Sequence, residues 1–294
     1  MTQKLSLFDA LKKETPLQLV GVINALTAQL AEKAGFNAIY LSGAGVANTR
    51  GMPDLGLTSL NDVLYDVEHI TQMVSLPLLV DVDTGWGSPL NVERTFKLIS
   101  RAGAMGAHIE DQTDFKRCGH REGKKIVTVE TMCDRIKAAV MGRTHDRFMV
   151  MARTDALQNE SEAGTLARVI AYEAAGADAI FLEAVTKIDQ YQRFRAALSI
   201  PILANITEFG KTPLYTVPEL KAHQVDMILY PLSAFRAMNK AAEHVYNTLR
   251  QTGTQKALLR EMQTRQELYQ LIQYEKYESQ LNHYFAHKEH DNDE

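Results

Sequence analysis

The sequence predicts one α/β domain, a parallel (β/α)8 barrel of the TIM type, spanning 1–294 and carrying extra C-terminal helices. Three observations lead there. Short apolar runs alternate with amphipathic stretches, which implies crossover connections and a parallel sheet. About eight such units fit into the chain, the number that a closed barrel needs. Nearly every apolar run ends in a polar or charged residue, and parallel barrels assemble their sites at those strand ends. An open doubly wound sheet is the competing arrangement. No glycine-rich dinucleotide turn follows the first strand, and Gly43-Ala44-Gly45 approximates one only weakly.

Taken in order, the strands are expected at 17–22, 38–41, 78–81, 106–110, 148–152, 179–182, 202–204 and 227–230. Helices are expected between them at 25–33, 60–73, 91–101, 129–141, 161–175, 187–198 and 217–222. Gly35, Gly103 and Gly176 each follow a helical stretch, where a glycine suits the C-cap. Pro16, Pro77 and Pro201 lead into the first, third and seventh strands. Beyond Ser233 the pattern is purely helical, with expected segments at 234–250, 255–262 and 265–284. A barrel needs only one closing helix there. The apolar positions Leu268, Leu271, Ile272 and Tyr274 therefore pack on a neighbouring subunit or on the chain's own barrel wall. The end, 287–294, is charged and aperiodic, as a disordered tail is.

Composition narrows the function. An apolar content of 45% over 294 residues supports a large core. A net charge of -4 carries no basic surplus, which disfavours a nucleic-acid partner. No apolar run approaches the ~20 residues that a bilayer requires, so no membrane role is expected. The N-terminus lacks a signal-peptide core. Cys118 and Cys133 make no disulfide framework, which fits a reducing cytoplasm.

Asp81 and Asp83 close the third strand one residue apart, followed by Thr84-Gly85-Trp86-Gly87. If the strand persists, both carboxylates share a face and repel unless a cation sits between them. The alternative is an acid pair that caps a turn. The other strand ends decide for the metal: Asn24, Ser42, His108 with Glu110, Arg153 with Asp155, Glu183, Asn205 with Thr207 and Glu208, and Ser233 complete a polar ring. Hard cations such as Mg²⁺ take one or two carboxylates with water and substrate. Asp54 and Glu110 are candidates to hold the coordinated waters from behind. His and Cys are not clustered at zinc-like spacings.

In Lys116-Arg117-Cys118-Gly119-His120, two cations and a histidine flank one thiol. Nearby positive charge favours thiolate, which makes Cys118 a candidate reactive group, while Cys133 reads as a packing residue. Arg153 ends a buried apolar strand, where a bare charge is costly. It is expected to grip a substrate carboxylate, or to pair with Glu183 or Asp155. Arg236 is a second anion-binding candidate, with a plain surface role as the alternative.

Together these motifs resemble the isocitrate lyase/phosphoenolpyruvate mutase superfamily across nearly the whole chain. The likeness runs through Tyr40 to Gly45, Pro53-Asp54-Leu55-Gly56, Asp81 to Gly87, Ile109 to Gln112, Lys116 to His120, Ala152 to Asp155, Asn205 to Glu208, and Tyr230 to Arg236. The cysteine loop points to the lyases, and the short chain to their methylisocitrate branch. The resemblance implies a Mg²⁺-dependent carbon–carbon lyase cleaving 2-methylisocitrate to pyruvate and succinate, in the methylcitrate cycle of propionate breakdown. Isocitrate or another substituted malate is the alternative substrate. It also implies a homotetramer with the last barrel helix swapped between subunits. By the same resemblance Asp81 and Asp83 hold Mg²⁺, and Cys118 protonates the departing carbanion. Tyr40 handles the hydroxyl proton, and His120 joins them as a catalytic candidate. Ser42, Gly43 and Ala44 hold the pyruvyl half. Gly119, Arg153, Glu183, Asn205, Ile206, Thr207, Arg236 and Arg265 grip the remaining carboxylates. Ala44 stands where many relatives carry glycine. A non-catalytic binding barrel is the other class of function, disfavoured because the acid pair and the thiol are both present.

Overall fold

Alternation along each strand divides the apolar side chains between two cores. In the computed structural model, which describes residues 4–113 and 123–289, eight parallel strands close into a barrel in sequence order. They are β1 (Leu17–Val22), β2 (Ala38–Leu41), β3 (Leu78–Asp81), β4 (Gly106–Glu110), β5 (Met149–Thr154), β6 (Ala179–Leu182), β7 (Ile202–Asn205) and β8 (Met227–Tyr230). Leu19, Tyr40, Leu79, Met151, Phe181 and Leu229 belong to the core that fills the barrel. Their sequence neighbours Val80, Val150, Ile180 and Leu182 belong to the second core, under the helices. Successive side chains of a strand point to opposite faces, so this division follows from the pleat.

The barrel-facing set changes character along the strand direction. At the strand starts it is apolar: Leu17, Met149, Ala179 and Met227. At the strand ends the same parity delivers Asp81, Glu110, Arg153 and Asn205. Register then sets them side by side, with Asp81 opposite His108 and Glu110 opposite Arg153. The expected strand 148–152 runs instead from Met149 to Thr154, because Arg153 and Thr154 continue pairing with Phe181 and Leu182.

The N-terminal helix α1 (Leu7–Lys13) is absent from the expected elements. Ser6 and Asp9 form a capping box at its start, and Arg147 pairs with Asp9 at 2.7 Å. Leu7 and Ala10 are fully buried in the barrel-filling core. A Cβ on Gly106 would stand 2.6 Å from Leu7 Cδ1, so the glycine makes room for this plug. The helices that follow are α2 (Ala25–Lys33), α3 (Gly43–Thr49), α4 (Leu60–Met73), α5 (Pro89–Arg101), α6 (Val129–Gly142), α7 (Glu162–Ala174), α8 (Asp189–Ala197) and α9 (Val217–Ala222). The short α3, also unforeseen, starts directly from the end of β2.

Two compact units divide the chain, Met1–Arg236 and Ala237–Glu294. Helix α10 (Ser233–Thr252) runs across that division. In the second unit the expected helix at 255–262 is only a single tight turn, Lys256–Leu258, since Leu258 is the one buried residue in that stretch. The expected helix at 265–284 is two, α11 (Arg265–Leu271) and α12 (Tyr274–Glu289). Gln273 between them has φ 56°, which a right-handed helix cannot continue through. Residues 290–294 lie outside the described part.

Leu7→Ala empties a fully buried plug and should cost about 2–5 kcal/mol of stability, read from urea unfolding. A change within ~0.5 kcal/mol, the range of an ordinary surface substitution, would show that α1 does not complete the core.

Candidate active site

The acid pair is built by a bend, and the strand does not persist through it. β3 ends at Asp81, and Asp83 has φ 50°, so the simple alternation expected for the two carboxylates fails. They still meet. Asp83 N donates to Asp81 Oδ1 at 3.1 Å, and Gly43 N donates to Asp81 Oδ2 at 3.1 Å. A Cβ on Gly43 would lie 2.9 Å from Asp83 Oδ1 and 3.1 Å from Asp81 Oδ2. Both carboxylates therefore converge over one glycine, and both are buried. Gly85 (φ 88°), Trp86 (φ 56°) and Gly87 (φ 135°) carry the chain through the turn that follows. Trp86 Nε1 anchors it by donating to Thr58 O at 2.9 Å.

Beneath the pair lie Tyr40 and His108. The Tyr40 hydroxyl is 2.9 Å from His108 Nε2 and donates to Asp81 Oδ2 at 3.4 Å. The two rings stack, and His108 meets Phe181 edge-on. Burial, and then the Asp81 charge, push the Tyr40 phenol well above its ordinary pKa. It holds its proton at neutral pH. His108, expected with Glu110 in the polar ring, is fully buried in the layer below.

Arg153 is the second centre. Its Nε and Nη2 donate to Asp155 Oδ2 and Oδ1 at 3.1 and 3.3 Å. Glu183 Oε2 stands 3.0 Å away and Glu110 Oε2 3.4 Å away. Both expected ion pairs form at once, and Glu110 adds a third. The guanidinium also lies over Phe181, 5.0 Å from the ring centre. Burial disfavours its charge, but Asp155, Glu183 and Glu110 outweigh that and raise its pKa well above the usual arginine value. Glu183 is held in turn by Asn205 Nδ2, 3.3 Å from each carboxylate oxygen, and by Ala184 N at 3.0 Å.

Behind Arg153 lies a network that the motifs did not disclose. Asp111 is fully buried and accepts from Thr154 Oγ1 at 2.7 Å, Asp155 N at 2.9 Å and Tyr172 OH at 2.9 Å. Burial, then the nearby Asp155 charge, raises its pKa. Lys124, 6% exposed, places Nζ 2.6 Å from Asp155 Oδ1. Tyr172 belongs to α7 and Lys124 to a loop, and neither stands at a strand end where a site residue would be sought.

The remaining expected residues divide. Ser42 caps α3 and is buried, with Gly43 and Ala44 following it. Asn205, Ile206 and Thr207 are buried at the end of β7. Ser233 Oγ donates to Glu208, whose carboxylate lies 3.6 Å from Arg236 Nε. Arg236 is half-exposed over Phe209. Asp54 is partly buried in the loop between α3 and α4. Arg265 is exposed at the start of α11, in the second unit. Lys116, Arg117, Cys118, Gly119 and His120 lie outside the described residues.

Comparison with known proteins fits this layout. Residues 8–250 match the phosphoenolpyruvate phosphomutase family. The chain belongs to that family. It is 57% identical over 279 residues to the 2-methylisocitrate lyase of Escherichia coli (strain K12), covering 94% of each chain. The crystal structure of a 2,3-dimethylmalate lyase, a phosphoenolpyruvate mutase/isocitrate lyase superfamily member, superposes with a TM-score of 0.85 at 36% identity, covering 92% and 91% of the two chains. A phosphonopyruvate hydrolase solved with oxalate and Mg²⁺ superposes with a TM-score of 0.82 at 28% identity, covering 92% and 94%.

In this member of the phosphoenolpyruvate phosphomutase family, the acid pair offers oxygen donors of the kind a hard divalent cation takes. Two buried like charges converging over a glycine form a cradle that any side chain there would fill. Among the described residues, no group of three or more His, Cys, Asp or Glu side chains could hold a metal. A hard cation completed by water and substrate oxygens does not need one. Gly43→Ala should weaken Mg²⁺ binding at least about tenfold in a calorimetric titration, the equivalent of ~1.4 kcal/mol. Unchanged affinity would move the cation elsewhere.

Proposed function

We propose that the chain is a Mg²⁺-dependent lyase that cleaves 2-methylisocitrate to pyruvate and succinate, serving propionate breakdown by the methylcitrate cycle. The observation that carries this reading is the 57% identity with a 2-methylisocitrate lyase over nearly the full length of both chains. The barrel mouth supplies matching chemistry. Asp81 and Asp83 fit a hard cation, and Arg153 fits a carboxylate. A bound Mg²⁺ supplies Lewis-acid polarisation at the 2-hydroxy carboxylate end of the substrate.

The chain's own groups do the rest. The bond between the hydroxyl-bearing carbon and its neighbour breaks, and its electron pair stays on the succinate side as an enediolate-like carbanion. The hydroxyl proton passes to water, leaving the ketone of pyruvate. Cys118 Sγ–H gives its proton to the carbanion, with His120 beside it in the chain. Water reprotonates the Cys118 thiolate after the step. Ser42 and the backbone of Gly43 and Ala44 bind the pyruvyl half, while Asp54 and Glu110 orient water at the cation. Arg153 orients a substrate carboxylate, with Glu183, Asn205, Ile206, Thr207, Gly119 and Arg236 completing the grip. Tyr40 serves this scheme best as a donor holding Asp81, because a phenol pushed above its ordinary pKa is a poor proton acceptor.

No helix among the described residues is long and apolar enough to cross a membrane. A thiol that must carry a proton calls for a reducing compartment, which the cytoplasm provides. The second unit exposes Tyr274, Tyr277, Leu281 and Tyr284, a surface suited to a second copy in a helix-swapped tetramer.

Pyruvate release from 2-methylisocitrate should exceed glyoxylate release from isocitrate, and EDTA should abolish both until Mg²⁺ is restored. Faster turnover of isocitrate would reassign the substrate. Cys118→Ser should lower kcat by roughly 10²–10⁴-fold, the usual share of a proton donor, with substrate binding retained. A near-normal kcat would remove the thiol from the mechanism.

A further inference from the structure

Arg153 is crowded by carboxylates, and one of them is shared with a second buried cation. Asp155, Glu183 and Glu110 all stand within 3.4 Å of the guanidinium. Left alone, Asp155 would place a full negative charge on Nε and Nη2, and an incoming carboxylate would meet an arginine already neutralised. Asp155 is not left alone. Lys124 Nζ, 2.6 Å from Oδ1, binds the same oxygen that accepts from Arg153 Nη2.

The surroundings hold this arrangement in place from both sides. Asp111 fixes the Asp155 backbone through its N–H at 2.9 Å. The backbone on the Lys124 side is pinned by a short antiparallel pairing. Thr113 N donates to Lys125 O at 2.9 Å, Gln112 bridges Ile126, and Val127 N donates to Asp111 O at 2.8 Å. Arg168 Nη1 then donates to Val127 O at 2.9 Å, and Arg135 Nη1 to Gln112 O at 2.8 Å. This much hydrogen bonding places a flexible lysine head at one carboxylate oxygen, where it costs little further entropy to hold.

We propose that Lys124 is a positioning residue for the lyase reaction. It draws Asp155 charge away from Arg153, so the guanidinium stays oriented by Asp155 yet keeps more of its charge for a substrate carboxylate. Lys124 acts through Asp155 and does not touch substrate. The proposal rests on the reading of Arg153 as the carboxylate grip.

A double-mutant cycle on the full-length enzyme tests it, with kcat and KM for 2-methylisocitrate and the thermal midpoint measured for each variant. Lys124→Met should raise KM at least about tenfold, the scale of one charge-assisted hydrogen bond, with a smaller fall in kcat. In an Asp155→Asn background the same change should alter KM by less than about twofold, since no charge is left for the lysine to draw off. Lys124→Arg should restore most of the loss. Lys124→Gln serves for the same cycle should the methionine variant not fold. Equal losses in both backgrounds, or an unchanged KM for Lys124→Met, would overturn the proposal. Arg153→Lys separates the two levels of inference. A normal KM there overturns the reading of Arg153 and this proposal with it. An impaired Arg153→Lys beside a silent Lys124→Met overturns only the role of Lys124.

Discussion

Crowded negative charge at one end of the barrel is the constraint on which the rest of the site depends. Asp81, Asp83, Glu110, Asp111, Asp155 and Glu183 are all buried there. Each would cost several kcal/mol to desolvate if it were bare. The fold answers in three ways. Arg153 and Lys124 are buried among them as counter-charges. Backbone N–H groups of Gly43, Asp83, Asp155 and Ala184 donate to carboxylate oxygens. At Asp81 and Asp83 the bare Gly43 leaves open the space between the carboxylates, where the proposed function puts a cation.

The opposite end of the barrel has the reverse problem. It is apolar and must be sealed, and α1 seals it with Leu7 and Ala10. One strand parity thus serves stability at the strand starts and chemistry at the strand ends. The plug meets the barrel-facing side chains at the strand starts and Asp81 ends β3 on that parity, with the layer of Tyr40, His108 and Phe181 between them. That layer is both packing and polar support, since Tyr40 stacks on His108 and hydrogen-bonds Asp81.

Strand ends were legible because a polar residue terminating an apolar run is a local signal, and Asp81, Glu110, Arg153, Glu183 and Asn205 all carried it. Asp111 and Thr154 were harder to read, because each sits one residue from a strand-end group and points the other way. Tyr172 gave no signal at all: on α7 its spacing is that of an ordinary core residue, and only its hydroxyl reaching Asp111 marks it out. The N-terminal helix escaped notice for another reason. Its seven residues are too few to show a clear period, and its burial comes from the far end of the barrel.

The sequence by itself determined the barrel, its strand order and which residue types stand at each strand end, because hydrophobic alternation and punctuation are local and repeat with every unit. The tertiary structure alone decided how those groups share charge. The bend at Asp83, the common carboxylate of Lys124 and Arg153, and the support of Asp111 each join residues distant along the chain or turned away from regular geometry. Such contacts depend on where closed strands bring side chains together in space, and no periodicity encodes that.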